Sequence, residues 1–434
     1  MPSTLYPTPV KMNDDVWQID LLEQNIPYRT GAYVIVDERP TLVETGAANS
    51  HEVLIAGLDT IGLSPKDLAY VIVTHVHLDH AGGAGQMMSA APQAKLVVHP
   101  RGARHMADPS KLWAGAQAVY GDRTEDLFGA VQPVPEENIL IRDHESTLNI
   151  GKRTLTFFDS PGHAKHHFTI LDPVSNALYA GDAAGILYPT EFTGYGYDFI
   201  MPTTSPVDFD PAAVHNTMDM LRKLPFEWVY HTHFGKSAKD EAIKHTERLA
   251  DAFATLIADV YQEGVELQTV IAALRQLVEN DLRAQGRTPE KIEALDIDIV
   301  LDSMGLLYYE EKPERTCRSK ISALLHAVGR MYACALSKCV HPACFYFDDL
   351  DCASVDNGED AVSPMDGWDM GVRSVPRRSN DEGMEYSFGD APLRFCLAAV
   401  GAPPKHQQCF SRCPVCFTSL DKPTACPFSP RPSL

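Results

Sequence analysis

Three histidines and one aspartate lie within six residues of each other: His75, His77, Asp79 and His80. Imidazole and carboxylate ligands together suit zinc, iron or manganese. The apolar run YVIV at residues 70–73 comes just before them and predicts a strand. Because strand side chains alternate with period two, we expect His75 and His77 to point the same way.

The second half of this motif is predicted to form a turn, where Asp79 and His80 can reach a second, adjacent metal ion. The small residues 81–83, Ala-Gly-Gly, would let the backbone pass close beneath the ions. The alternative interpretation is a histidine-rich surface loop that binds no metal. Four potential ligands in six residues, after a strand of buried type, argue against that alternative.

The pattern His-x-His-x-Asp-His after a strand resembles the signature of the metallo-β-lactamase superfamily, and the resemblance covers about residues 15–235. Family members supply a third histidine from a later loop, often within Pro-Gly-His, and here that residue is His163. They supply a bridging aspartate after a glycine at a strand end, here Asp182. A final histidine follows another strand, and His233 matches it best.

The resemblance implies two sites for divalent metal ions, with zinc expected before iron or manganese. The first site would use three histidines: His75, His77 and His163. The second site would use an aspartate and two histidines: Asp79, His80 and His233. Asp182 would bridge both ions, and we expect it to be catalytic together with Asp79. A pair of cations about 3.5–4 Å apart also lowers the pKa of a shared water, which makes hydroxide available near neutral pH.

Other histidines compete for two of these roles. His166 and His167 lie on the same segment as His163, but the Pro-Gly-His context favours His163. His231 competes with His233, which the following Phe-Gly favours. The remaining histidines of the first 312 residues have no such context and are predicted to be ordinary surface or packed residues: His51, His99, His105, His144, His215 and His245.

The elements that must position these residues are short strands alternating with helices. Strands are predicted at residues 16–22, 32–36, 41–44, 70–73, 95–99, 155–158, 168–171, 177–180 and, as the last strand, 228–230. Helices are predicted at residues 52–61, from residue 82, and after Asp210-Pro211, an acidic N-cap followed by proline. The resemblance implies an α+β fold: an αββα four-layer sandwich with two mixed sheets face to face and the metals at one sheet edge.

Two further segments have open interpretations. From residue 240 the apolar residues recur at helical spacing, and these helices look like those of the glyoxalase II-like branch of the family. They are predicted to cover a sheet, with one wall of a substrate cleft as the alternative. Residues 188–208 are rich in aromatic side chains, and they either shape a substrate pocket or pack on themselves.

The C-terminal part differs in composition from the rest of the chain. All ten cysteines lie between Cys317 and Cys426. We therefore predict a metallo-β-lactamase-fold domain with C-terminal helices at residues 1–312. Residues 313–434 are predicted to be a cysteine-containing extension that is poorly ordered. A zinc-binding site around Cys413 and Cys416 is the alternative, since a Cys-x-x-Cys pair is half of such a site.

Composition limits the possible partners. Of the 434 residues, 44% are hydrophobic and 22% charged, as in globular proteins, and the net charge of -21 disfavours nucleic acid. No run of about 18 apolar residues predicts a membrane span, and the first 15 residues do not resemble a secretory signal. We expect a cytoplasmic enzyme that acts on a small molecule. The sequence does not predict its oligomeric state.

Subtypes of the family differ at informative positions. Zinc β-lactamases often use a cysteine in the second site, whereas this chain has none before Cys317. Flavodiiron oxidoreductases carry glutamate at the position of His77. The prediction is therefore a hydrolase that uses hydroxide activated by two metals on a small ester, lactone or thioester. The alternatives are a persulfide dioxygenase with one iron, and a catalytically silent member of the fold that acts through a partner.

Overall fold

The computed structural model describes residues 6–204, 206, 208–287 and 292–311, and the backbone of residues 384–388 and 391–395. The chain divides into two units, Met1–Pro342 and Ala343–Leu434. In the second unit the described residues form an antiparallel hairpin. The cysteines, and with them the predicted disorder or zinc site of the extension, lie outside the described residues. The domain boundary near residue 312 stays a prediction.

The first sheet follows the chain from one edge to the other. Its strands are β1 (Val10–Lys11), β2 (Val16–Asp20), β3 (Gly31–Ile35), β4 (Thr41–Val43), β5 (Tyr70–Ile72), β6 (Lys95–Val98) and β7 (Ile139–Ile141). Neighbours from β1 to β4 are antiparallel, and those from β4 to β7 are parallel. The sheet is therefore mixed, as predicted.

The second half of the domain contributes a second mixed sheet and a separate strand pair. Its strands are β8 (Thr147–Asn149), β9 (Thr154–Asp159), β10 (Phe168–Asp172), β11 (Ala177–Gly181), β12 (Ile186–Tyr188), β13 (Phe199–Met201), β14 (Trp228–His231) and β15 (Gly235–Ala238). The spatial order of the second sheet is β15-β14-β11-β10-β9-β8, and β12 pairs with β13. Among the described strands of this sheet, β11 and β14 are the parallel neighbours.

Helices cover both sheets. They are α1 (His51–Thr60), α2 (Leu78–Ala81), α3 (Ala84–Ala90), α4 (Pro100–Ala107), α5 (Ser110–Tyr120), α6 (Thr124–Phe128), α7 (Thr190–Thr193), α8 (Pro211–Lys223), α9 (Lys239–Val260), α10 (Leu267–Ala284) and α11 (Asp296–Glu311). The predicted cap of α8 is confirmed, since the Asp210 carboxylate accepts hydrogen bonds from the N–H groups of Ala212 and Ala213. None of the described helices is long and apolar enough to cross a membrane.

Alternation of side chains along the strands produces four layers. Tyr33 and Tyr179 point into a core between the two sheets, whereas their neighbours Val34 and Leu178 point outward. The outer core of the first sheet includes α1 and α3, and that of the second sheet includes α8 to α11. The αββα sandwich is confirmed, and α9 to α11 cover the second sheet as predicted.

Several elements differ from the sequence-based predictions, and the strands β1, β7, β8 and β12 are among those not predicted. Helices α4 to α6 were not predicted, although the apolar residues of α5 do recur at helical spacing and pack, partly buried, beside Ala47, Leu78 and Phe128. Strand β14 is not the last strand of the domain, because β15 pairs with it. The aromatic segment 188–208 contains β13, which pairs with β12 and is buried in the helix-covered core, so this part packs on the domain.

Candidate metal centre

The seven predicted ligands come from four loops, and the structure brings them together. The signature residues follow β5, with His77 just before α2 and both Asp79 and His80 inside α2. The other three lie in later loops: His163 between β9 and β10, Asp182 directly after β11, and His233 between β14 and β15. Within the part of the chain that the structure describes, every His, Cys, Asp and Glu group with the spacing of a metal site is made of these seven residues.

The first group consists of His75, His77 and His163. The Nδ1 atom of His77 lies 2.9 Å from Nε2 of His75 and 2.9 Å from Nε2 of His163. His75 and His77 converge although β5 has already ended at Ile72, so the loop after the strand produces the convergence. Three ring nitrogens that face one point are a suitable donor set for a borderline cation such as zinc.

The second group consists of Asp79, His80 and His233. The Nε2 atom of His233 lies 3.2 Å from Oδ2 of Asp79 and 3.2 Å from Nε2 of His80. Oδ2 of Asp79 is also 3.5 Å from Nε2 of His80. This group therefore combines a carboxylate with two imidazoles.

Asp182 lies between the two groups. Its Oδ1 atom is 3.2 Å from Nε2 of His80, and its Oδ2 atom is 3.5 Å from Nε2 of His163. One carboxylate oxygen thus faces each group. This is the arrangement that a carboxylate bridging two cations requires.

Glycines before two of these residues are required by the local geometry. Gly181 has a φ of +51°, and a Cβ atom there would lie 2.5 Å from both the His167 ring and the Thr74 hydroxyl. Gly162 has a φ of +131°, and a Cβ atom there would lie 2.9 Å from the backbone nitrogen of Val214. The Gly-Asp and Pro-Gly-His contexts therefore have a steric cause.

The two groups differ in their electrostatics. Burial lowers the pKa of His75 well below its usual range, and it lowers that of His77 to about 3, in both cases with help from neighbouring histidines. Burial acts against protonation of His80 too, but the carboxylates of Asp182, Asp79 and Glu44 together outweigh it and raise its pKa. The first group is thus neutral near pH 7, whereas the second holds protons when no cation is bound.

Glu44 is a supporting residue to which the sequence analysis gave no role. It follows β4 and is fully buried, and its Oε1 atom lies 3.3 Å from Nδ1 of His80. The same oxygen accepts hydrogen bonds from the hydroxyls of Thr74 and Thr232. The sequence signal that could have identified Glu44 is its position, as an acidic residue directly after the apolar strand TLV. Glu44 orients the His80 ring and keeps its Nδ1 atom away from the centre.

The competing histidines have other contacts. Both ring nitrogens of His231 are engaged, with the Gly185 carbonyl at 2.9 Å and the Ser237 hydroxyl at 2.8 Å. The Nε2 atom of His167 accepts a hydrogen bond of 3.2 Å from the backbone N–H of Asp182. His166 lies with its ring centroid 5.3 Å from that of His77, but it belongs to none of the candidate groups.

The donor set fits a pair of divalent cations. Oδ1 of Asp182 is buried and has no hydrogen-bond partner among the described residues, although His80 Nε2 is close. A buried carboxylate oxygen without a partner requires an explanation, and a bound ion is one. The ring nitrogens of the first group lie within hydrogen-bond distance of each other, and the lowered pKa values keep these histidines neutral. This arrangement also points to a bound cation.

The chain is similar in sequence to known proteins over the part that carries these residues. Residues 27–233 match the family described as "Metallo-beta-lactamase superfamily". The chain is 26% identical over 179 residues to the metallo-beta-lactamase fold-containing protein ST1585 of Sulfurisphaera tokodaii, which corresponds to 40% of this chain and 61% of that protein. It is 29% identical over 129 residues to the rubredoxin-oxygen oxidoreductase of Megalodesulfovibrio gigas, or 30% of this chain and 26% of that protein.

A solved structure supports the fold. The metallo-beta-lactamase family protein TTHA1429 of Thermus thermophilus superimposes with a TM-score of 0.51 at 18% identity, over 70% of this chain and 95% of that one. The described domain therefore has the metallo-β-lactamase fold. The chain spans less than two thirds of the length of both curated relatives named above.

Proposed function

We propose that the protein, whose residues 27–233 match the metallo-β-lactamase superfamily, is a metal-dependent hydrolase of a small ester, lactone or thioester. The observation that carries the proposal is the position of Asp182, with one oxygen toward each of two groups of ligands. Members of this superfamily bind divalent metals. Such ions would be held here by the first group, the second group and Asp182.

Zinc is the proposed metal, since three imidazole nitrogens and a mixed imidazole-carboxylate set suit it, and iron and manganese are the alternatives. Bound divalent cations supply Lewis acidity, which lowers the pKa of water and polarises a carbonyl oxygen. The remaining contributions come from the side chains of the protein.

Asp79 is the candidate for a direct role beside the reacting atoms. Its side chain is 25% exposed, whereas those of Asp182, His80 and His233 are at most 6% exposed. Burial alone would raise the pKa of Asp79, but His80 and His233 together lower it below its usual range. Asp79 therefore stays ionised near neutral pH and can accept a hydrogen bond from an attacking water.

Asp182 contacts both groups of ligands and so fixes their positions relative to each other. Its backbone N–H is fixed by His167, and the positive φ at Gly181 directs its side chain.

A small-molecule substrate fits the strongly negative chain better than nucleic acid does, because the net charge is -21. A cytoplasmic location is part of the proposal.

Assignment to the glyoxalase II-like branch is the finer part of the proposal. It is supported by the helices α9 to α11, which follow the metal-binding loops and pack on the second sheet. Ester, lactone and thioester hydrolysis share attack on a carbonyl carbon, so the centre alone does not select among them.

A second candidate is an oxidoreductase with a single iron, of the persulfide dioxygenase type. The match to a relative named as an oxidoreductase favours it. His77 argues against the flavodiiron variety, which carries glutamate at that position.

Metal analysis joined to a substrate screen tests the proposal. The full chain is purified without added metal, its zinc, iron and manganese are counted, and it is then offered an aryl ester, a lactone, a thioester and a phosphoester. We expect about two zinc ions per chain and hydrolysis of at least one carbonyl substrate that stops on chelation and returns with zinc. One iron per chain with oxygen uptake on a persulfide supports the second candidate. If the protein binds two metal ions but turns over no carbonyl compound, the proposed hydrolase function is wrong.

A further inference from the structure

Helix α11 supplies no candidate ligand, yet two of its carboxylates are buried. Asp298 is 5% exposed and Asp302 is 1% exposed. They lie four residues apart and so share one face of the helix. Burial of a carboxylate is costly unless other groups compensate for the lost water. Their contacts lead to the metal centre by two separate routes.

The first route runs from Asp298 through Arg29 to His233. Asp298 binds the Arg29 guanidinium with both oxygens, at 2.8 and 3.2 Å. The backbone carbonyl of Arg29 lies 3.1 Å from Nδ1 of His233. Because Nε2 of His233 faces the second group, Nδ1 carries the proton when Nε2 binds a cation, and it then donates to this carbonyl.

A parallel branch of that route uses Glu23 and Thr30. The carboxylate of Glu23 lies 3.4 Å from Nε of Arg29 and accepts a hydrogen bond from the Thr30 hydroxyl. The Thr30 oxygen is in turn 3.2 Å from Nδ1 of His233. All these side chains are buried. Asp298 and Glu23 thus both pair with Arg29, in a buried network that surrounds one nitrogen of a ligand histidine.

The second route runs from Asp302 to His163 through a single peptide group. Oδ1 of Asp302 accepts a hydrogen bond of 2.6 Å from the backbone N–H of Thr204 and one of 3.2 Å from its hydroxyl. The carbonyl of the same peptide, that of Thr203, lies 3.4 Å from Nδ1 of His163. Asp302 therefore fixes the peptide that accepts the His163 proton, and only an acceptor oxygen is needed for this.

We propose that Asp298 and Asp302 are positioning residues for the metal centre, each orienting one ligand histidine. Asp298 acts on His233 of the second group, and Asp302 acts on His163 of the first group. Helix α11, which supplies no candidate ligand, thereby fixes one ligand histidine in each group. The inference rests on the proposed metal-binding role of the centre. Partners that bind the second nitrogen of a ligand histidine typically change metal affinity about 10–100-fold.

Stepwise zinc affinity separates this role from simple packing. The two zinc dissociation constants of the full chain are measured by competition with a chromophoric chelator. They are compared with those of Asp298→Asn, Asp302→Ala and the control Ser303→Ala. Ser303 is buried on the same helix, but its hydroxyl bonds to the carbonyl of Ile299, within the helix itself. Melting temperatures are recorded in parallel.

Each carboxylate is expected to affect a different zinc ion. Asp298→Asn weakens one step about 10–100-fold and leaves the other within about threefold, and Asp302→Ala does the reverse. Asp302→Asn, which keeps an acceptor oxygen, restores most of the affinity. Ser303→Ala changes neither step. If both aspartate variants melt earlier but keep both wild-type constants, the residues only support the fold and the inference is wrong.

A second variant keeps the first route testable if Asp298→Asn does not fold. Thr30→Val removes the hydroxyl between Glu23 and His233 but keeps the Arg29 pair, and it should weaken the same step as Asp298→Asn. Its failure to do so contradicts the first route. Zinc binding by the wild type without hydrolysis overturns the proposed function alone, whereas a wild type that binds no zinc overturns both.

Discussion

The two halves of the metal centre are built from similar ligands but differ in charge. The first group contains three neutral imidazoles, all of whose pKa values are lowered. The second group has two imidazoles whose pKa values are raised by nearby carboxylates in spite of burial. One half is therefore ready to bind a cation near pH 7, whereas the other must first lose protons. Asp182 is common to both halves.

Removal of the shared carboxylate should disrupt both halves. We expect Asp182→Asn to lower turnover by more than about 100-fold, because loss of a ligand exceeds the 10–100-fold typical of residues that only support one. Zinc content should fall below two per chain. The measurement is kcat with metal content on the same sample. Asp251→Asn, an exposed aspartate of α9, is the control and should behave as wild type.

A change at Glu44 tests whether the second half depends on its carboxylate support. Glu44→Gln should weaken zinc binding about 10–100-fold, since a neutral amide oxygen accepts the hydrogen bond from His80 more weakly than the carboxylate and an NH2 group in place of Oε2 cannot accept from the Thr74 N–H. Chelator competition measures it. Wild-type affinity in this variant would show that the hydrogen bonds to Glu44 do not orient His80.

The pH dependence of binding should differ between the halves. His80 and His233 have raised pKa values in the metal-free protein, so they are protonated at neutral pH and must release protons to bind a cation. Affinity at the second group should rise about tenfold per pH unit for each proton released, until the pH exceeds these pKa values. The first group should respond little above about pH 6, since the pKa of His77 is about 3. Calorimetry in buffers of different ionisation heat counts the protons.

The same shifts predict how stability changes with pH without metal. A raised histidine pKa stabilises the folded protein fully below the unfolded value of about 6.5, and this stabilisation is lost as the pH rises through the folded value. The metal-free protein should therefore lose the contribution of His80 and His233 at alkaline pH. Thermal melts from about pH 6 to about pH 10 in chelator measure this, and an unchanged melting temperature argues against the protonated pair.

The smallest effect is expected from removal of residues 313–434, which contain none of the candidate ligands. A chain that ends at residue 312 should keep the metal content and hydrolytic rate of the full chain, because all seven candidate ligands precede that residue. Metal analysis and the substrate screen are repeated on this shorter chain. A shortened protein that is well folded yet metal-free would contradict the predicted domain boundary.

The ligands themselves were predictable because each has a local signal. His75, His77, Asp79 and His80 form one motif after an apolar strand. For the three distant ligands the signal is a neighbouring glycine or aromatic residue, and the structure gives Gly162 and Gly181 a steric reason. The four layers and the two mixed sheets followed from the resemblance, whereas the order of strands within each sheet was not predicted.

The supporting residues were not predictable, because their hydrogen bonds connect distant parts of the chain. Arg29 and Asp298 are 269 positions apart, and Glu44 and His80 are 36 apart, so no local pattern joins them. Helix α5 is a different case, since its apolar residues do recur at helical spacing, but its side chains are only partly buried. Burial and pairing of charged residues become visible only in the folded protein.

Anomalous scattering at the zinc edge, from crystals of the zinc-loaded full chain, tests the central claim most directly. We predict two peaks, one at about 2.0–2.1 Å from nitrogens of His75, His77 and His163, and one at the same distance from His80 and His233. Asp182 should lie between the two. A map with no peak among these side chains, or with both peaks elsewhere, would contradict the account.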